Sequence, residues 1–182
     1  MSIVENVRKT VVDTVQGAGD VGVALVDSVG RVATETLKQA GAVGEAAVKA
    51  PADLVHGALM AAAEVGQTGA EATQKVVSSV VAAVSQSAVD TEQGITAVAE
   101  QTVKSVKHTG GDVGETAVSA VRGSIDGVKQ VGGDAGQATE AAVTGVLKGA
   151  KEISEEAVGT VAGALESSVE GTRDVVKKVL GK

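Results

Sequence analysis

The chain has 182 residues, enough for one ordinary domain, but it contains no Phe, Trp, Tyr or Cys. Without cysteine it has no disulfide framework and no thiol chemistry, and a compact core of valine and alanine without aromatic side chains would be thin. The formal net charge of −7 disfavours nucleic acid as a partner, because phosphate binding needs a basic patch.

An eleven-residue repeat runs along the chain. Every eleventh residue from Val11 to Val176 is uncharged, and aliphatic residues at these places mostly alternate with small ones. The charged residues fall at five positions of this unit, with Glu92 and Lys182 as the exceptions, and the aliphatic residues fall mostly at the others. Eleven residues make three helical turns, so the two sets lie on opposite arcs of a helix. The pattern predicts an all-α chain of about eight 22-residue repeats over residues 1–182, with no separate globular domain.

The repeat keeps its phase from residue 3 to residue 180 without an insertion, which favours one long, nearly continuous amphipathic helix. Its start is marked by Ser2 and Glu5, which have the spacing of a capping box. At its end, Lys177 and Lys178 suit the last helical turn and Gly181 suits the position after it.

Three places interrupt this predicted helix. Pro51 lacks a backbone donor, so we expect a kink or a restart near Ala50. The pairs Gly110–Gly111 and Gly132–Gly133 are expected to form bends or hairpin turns. An intramolecular hairpin bundle that turns at these places is an alternative, but the unbroken phase favours the long helix.

The segment "GAGDVG" at 17–22 matches the G-x-G-x-x-G pattern of loops that bind a dinucleotide pyrophosphate. Such a loop follows a hydrophobic strand, whereas this segment follows helix-periodic sequence. Similar segments recur at 41–44, 110–114 and 132–136. We therefore interpret Gly22 as a small residue on the apolar face of the repeat, and we predict no cofactor.

The two histidines of the chain, His56 and His108, both lie on the charged arc and are interpreted as solvated surface residues. A zinc site would need several ligands close together. The carboxylates are spread evenly along one face, and no G-x-S-x-G segment or positioned base accompanies the serines. We therefore expect no enzyme activity, no catalytic or metal-binding residue and no small-molecule substrate.

A lone helix would leave its aliphatic arc exposed to water. The conformational entropy lost on ordering the chain then exceeds what burial regains. We expect the free monomer to be poorly ordered and to become helical when the arc meets a lipid surface, another copy of the chain or dry conditions.

The segment "AVAEQTVKSVKHTGGDVGETAVSAVRG" at 97–123 resembles the in-phase eleven-residue repeats of synucleins. Perilipin-type lipid-droplet coat proteins and group 3 late-embryogenesis-abundant (LEA) proteins have the same period. The resemblance is one of period and composition and extends over nearly the whole chain. It implies disorder in solution, a helix on a surface or on drying, and no catalysis.

These observations favour a non-enzymatic protein that reversibly covers lipid or apolar surfaces, or protects membranes and proteins during water stress. The alternative is a structural assembly, in which copies associate through the aliphatic arc as a bundle or filament. No apolar run approaches the roughly 18–20 residues of a membrane span, and the amino-terminal segment lacks the apolar region of a secretory signal. We expect a cytoplasmic protein, peripheral on a membrane or lipid droplet.

Overall fold

The computed structural model describes residues 2–40 and 45–181, and these residues form helices joined by short turns. In chain order the helices are α1 (Ile3–Val15), α2 (Val21–Ala40), α3 (Glu45–Glu64), α4 (Ala70–Ser85), α5 (Thr91–Thr109), α6 (Val113–Gln130), α7 (Ala135–Lys151), α8 (Glu155–Ser168) and α9 (Thr172–Leu180). Within these two ranges no strand occurs. The all-α prediction is confirmed, but the chain is not one long helix.

The helices form two layers. An odd layer contains α1, α3, α5, α7 and α9, and an even layer contains α2, α4, α6 and α8. Each helix packs against the next helix in the chain and, within its own layer, against the helix two places on. Short turns make consecutive helices antiparallel, so neighbours within a layer run parallel. This arrangement is an α-solenoid, in which each unit contacts only its near neighbours.

In the middle of the chain each 22-residue repeat corresponds to one helix and its turn, since α5, α6 and α7 begin at residues 91, 113 and 135. Small residues of the eleven-residue series lie at the turns, where Gly66, Gly110 and Gly132 have φ values of +77°, +71° and +74°. Glycine adopts this left-handed conformation without steric cost. The aliphatic residues of the series lie inside the helices and are buried, among them Val55, Val77, Ala99, Val121, Val143 and Leu165.

Polar residues mark where the helices begin. Asp90, Asp112 and Asp134 precede α5, α6 and α7, and each accepts a hydrogen bond from the backbone N–H three residues further on. Ser2 caps α1 in the same way, since its Oγ accepts from the Glu5 N–H at 3.2 Å. These N–H groups have no partner within the helix, so the caps stabilise each start.

Valine and alanine make up most of the buried core, and glycine brings helices of one layer close together. A Cβ atom at Gly145 of α7 would lie 2.3 Å from the Thr96 carbonyl oxygen of α5, and one at Gly149 would lie 2.6 Å from that of Glu100. A second pair of glycines, in α6, lies against α4 in the same way. Close backbone approach thus compensates for the absence of large side chains.

The prediction of a single helix, poorly ordered as a monomer or assembled through its aliphatic arc, is wrong. Successive helices fold back on one another, so the arc is buried within one chain. The phase of the repeat survives because a helix and its turn recur roughly every two elevens, and not because one helix continues.

The predicted interruptions have different outcomes. α3 runs through Pro51 and does not restart at Ala50, because Leu54 and Val55 are buried in the core and tertiary packing outweighs the lost hydrogen bond. Gly110–Gly111 and Gly132–Gly133 do lie in turns, as the hairpin alternative required. The segment at 41–44 lies outside the described residues.

Candidate binding groove

Two pairs of polar side chains between α4 and α6 have the same separation in sequence. In the even layer, Gln74 Nε2 of α4 donates to Asp126 Oδ2 of α6 at 2.7 Å. One helical turn further on, Gln130 Nε2 of α6 donates to Ser78 Oγ of α4 at 2.8 Å. The partners are 52 residues apart in both pairs. Cross-helix pairs with this separation are termed rungs.

The two rungs lie along an open groove of about 730 Å³ on the even layer. Its lining residues come from α2, α4 and α6 and are mostly polar: Val26, Glu71, Gln74, Lys75, Ser78, Ser79, Asp126, Lys129 and Gln130. Glu71 and Lys75 form an ion pair at 2.6 Å, and the hydrogen bond from Lys75 lowers the pKa of Glu71. With two carboxylates and two lysines, the lining carries no net charge.

Helical periodicity places the lining residues on one face of each helix. On α4 the polar positions are 71, 74, 75, 78 and 79, and on α6 they are 126, 129 and 130. Residues three and four apart are neighbours on a helix surface. These residues belong to the polar side of the repeat, but the repeat does not indicate which helices face each other. Sequence reasoning therefore missed the groove.

A second groove, of about 570 Å³, crosses α3 and α5 of the odd layer. Its Lys104 lies 2.8 Å from Glu152 of α7 and 3.4 Å from Glu100 of α5. The hydrogen bond to Glu152 is the main cause that raises the pKa of Lys104, and the same bond lowers the pKa of Glu152. The charge of this lysine is therefore compensated within the chain.

The structure brings the two histidines together. The ring centroids of His56 on α3 and His108 on α5 lie 5.5 Å apart, with 64° between the ring planes. His56 is partly buried and His108 is exposed. His56 Nδ1 lies 2.9 Å from Ser105 Oγ, whose hydroxyl donates to the Gln101 carbonyl oxygen at 2.8 Å. The pair has the rung separation and forms the rung between α3 and α5.

A serine beside a histidine can act as a nucleophile with its base. The Ser105 hydroxyl has one proton and donates it to the Gln101 carbonyl oxygen, which can only accept. In that arrangement the contact with His56 requires the tautomer with a proton on Nδ1, which cannot act as a base toward Ser105. Ser105 is also buried. Across residues 2–40 and 45–181, no three His, Asp or Glu side chains converge as metal ligands. The geometry around these two residues is that of a structural contact.

The segment at 17–22 comprises the turn between α1 and α2 and the first two residues of α2. Gly17 has φ +90°, and Asp20 Oδ1 accepts a hydrogen bond from the Val23 N–H at 3.1 Å. The Asp20 carboxylate thus occupies the amino-terminal end of α2, where a phosphate would bind. Gly22 lies in the first turn of α2, near Asp20 and Gln67, and not in the middle of an aliphatic face.

The described helices are all too short or too polar to cross a membrane. The resemblance to synucleins, perilipins and LEA proteins is not tested by these contacts and stays a prediction. The chain matches no model of a known protein family, no curated protein and no solved structure.

Proposed function

We propose that this protein is a non-enzymatic α-solenoid scaffold that binds an extended segment of a partner polypeptide in the groove between α4 and α6. The observation that carries the proposal is the pair of parallel rungs, Gln74–Asp126 and Ser78–Gln130. Repeat proteins of this architecture present extended surfaces to their partners.

The spacing of the rungs suits an extended backbone. Four residues of α-helix rise about 6 Å, and two residues of extended chain advance about 6.6–6.8 Å. A segment lying along the groove would therefore meet one rung at every second residue. Each glutamine uses one amide N–H in its rung, and its second N–H and its carbonyl oxygen can pair with a peptide backbone.

The lining also indicates the chemistry of the partner. Because two carboxylates are balanced by two lysines, recognition does not require a strongly charged segment. Val26 is the apolar residue of the lining. We expect a segment of low net charge, with a small aliphatic side chain facing Val26 and its backbone facing the glutamines.

Selection of phage-displayed nonapeptides against the full chain tests the proposal. The double variant Gln74→Ala/Gln130→Ala should weaken the binding of selected peptides at least about tenfold, which corresponds to about 1.4 kcal/mol. The matched control is Gln137→Ala, an exposed glutamine near the start of α7, which should leave binding unchanged. Far-ultraviolet circular dichroism verifies that each variant is folded. Equal binding by all three proteins, or a selection without groove-dependent peptides, would reject the proposal.

The lipid-coating or stress-protection hypothesis and the self-assembly alternative stay predictions. Both need the aliphatic arc, and its residues Val77, Val121 and Val143 are fully buried in the core, so the helices would first have to separate. Liposome titration followed by circular dichroism tests coating, because a lipid-dependent change in the spectrum is its signature. Sedimentation velocity over a concentration series tests self-assembly, which requires a mass that rises with concentration.

A further inference from the structure

We infer that the His56–His108 rung makes the contact between α3 and α5 sensitive to pH, so that mild acid loosens the solenoid at this place. The two residues are the only histidines in the chain. They lie 52 residues apart in the sequence, on α3 and α5.

The rungs between α4 and α6 combine complementary groups, since Gln74 pairs with Asp126 and Ser78 pairs with Gln130. Between α5 and α7 the rung holds two carboxylates, Glu100 and Glu152, and Lys104 bridges them and compensates their charge. Between α3 and α5 the rung also holds two groups of the same kind, His56 and His108. When both rings are neutral they pack edge to face, which is a favourable aromatic geometry. When both are protonated, two cations face each other at a centroid distance of 5.5 Å.

The surroundings of His56 oppose its protonation. Burial is the largest cause that lowers the pKa of His56, the nearby His108 is the second, and Asp53 on the same helix offsets part of the effect. The remaining helices packed against α3 are α1, α2 and α4. In the part of the chain that the structure describes, no charged group of these helices contributes to the shift in the pKa of His56.

Charged groups of α5 and α7 lie near His108. Lys104 precedes it by one helical turn, and Lys107 is its neighbour in the sequence. From α7, Glu152 approaches this region, but its carboxylate is bound to Lys104. The α5 side of the histidine rung therefore already carries two lysine cations.

The direction of the pH effect follows from proton linkage. The pKa of His56 in the folded chain is below the ordinary value of 6.5, so the unfolded chain binds the proton more readily. The contribution of neutral His56 to stability is full above pH 6.5 and is lost as the pH falls from 6.5 toward the folded-state pKa. Ordinary carboxyl groups titrate near pH 4, so measurements down to about pH 5.2 isolate the histidines.

Thermal unfolding of the full chain at about pH 7.5 and about pH 5.2 tests the inference. The double variant His56→Gln/His108→Asp reproduces the amide–carboxylate chemistry of the Gln74–Asp126 rung and is the matched control. We expect the Tm of the wild type to fall by at least about 3 °C at the lower pH, and that of the double variant to fall by less than half as much. Equal falls would overturn the inference.

Two measurements on the wild type locate the effect without any variant. After correction for the intrinsic exchange rate, amide hydrogen exchange at the lower pH should accelerate in α3 and α5 more than in α7. Proton NMR should give the His56 imidazole a titration midpoint below 6.5. Uniform acceleration in all helices, or a midpoint at or above 6.5, would contradict the inference.

Discussion

Gly145 of α7 lies so close to α5 that a Cβ atom on it would fall 2.3 Å from the Thr96 carbonyl oxygen. The Thr96 hydroxyl in turn donates to the Ala141 carbonyl oxygen, one turn before Gly145, at 3.2 Å. The two parallel helices therefore meet through their backbones, and the contact requires a residue without a side chain.

Gly145→Ala should destabilise the protein by about 1–3 kcal/mol, because the added methyl group overlaps backbone that cannot move without separating α5 from α7. Chemical denaturation with urea measures the change. The matched control is Gly159→Ala in α8, where nothing lies within 4 Å of an added Cβ atom. Its expected effect is stabilising, by about 0.5–1 kcal/mol, since alanine favours a helix interior. A similar change in both variants would refute close packing at Gly145.

Asp112→Ala should cost about 1 kcal/mol, because the Glu115 N–H at the start of α6 loses its acceptor at 2.8 Å. Asp112→Asn retains a capping oxygen and should remain close to the wild type. Thermal denaturation compares the three proteins. If the asparagine variant loses as much stability as the alanine variant, the side chain does not act as a cap.

Gly132→Ala should cost about 1–2 kcal/mol, since φ at this turn is +74° and a Cβ atom disfavours the left-handed region. Gly132→Asn should cost less, because asparagine enters this region more readily. Guanidinium denaturation measures both variants, with Gly163→Ala, a glycine of α8 in open space, as the reference. Equal losses for alanine and asparagine would contradict the φ-based explanation.

Lys104→Met removes the cation between Glu100 and Glu152 and should cost no more than about 1 kcal/mol, because the group is partly solvated. The folded-state pKa of Glu152 is below its ordinary value of 4.5, so the ion pair contributes fully above pH 4.5 and the contribution is lost as the pH falls through the folded-state pKa. The stability difference between variant and wild type should thus be largest near neutral pH and should decrease as the pH falls below 4.5. A difference that does not decrease with falling pH, and that persists in about 1 M salt, would exclude an electrostatic origin.

Burial along the chain could be predicted from the sequence, but the path of the chain could not. The eleven-residue period correctly separates buried residues such as Val77 and Val121 from the exposed charges. One unbroken helix and a series of helices that recur roughly every 22 residues show the same period, however. The local signals for the second case were present at Gly110 and Asp112, which end one helix and begin the next. Tertiary packing decides between the two cases, because a chain that folds back on itself can bury its own aliphatic arc.

The groove and the histidine pair could not be predicted from the sequence, for a related reason. Gln74 and Asp126 each occupy a predictable exposed face, but their contact depends on α4 and α6 being second neighbours in a two-layered fold. The rung separation corresponds to two repeats plus about two helical turns of axial shift. Glycines of the later helix lie against the backbone of the earlier helix at these contacts, and the repeat alone does not indicate that packing. The contact between His56 and His108 could therefore not be predicted from their positions on the charged arc.

The two layers also restrict how such a protein can change in length. Losing or gaining one 22-residue unit would reverse the direction of every later helix relative to the helices before the junction and transfer it to the opposite layer. Losing or gaining two units preserves direction, layer and every rung beyond the junction. Proteins of this architecture should therefore vary among relatives in steps of 44 residues, and a genetic duplication of that size should lengthen the molecule while leaving its existing contacts unchanged.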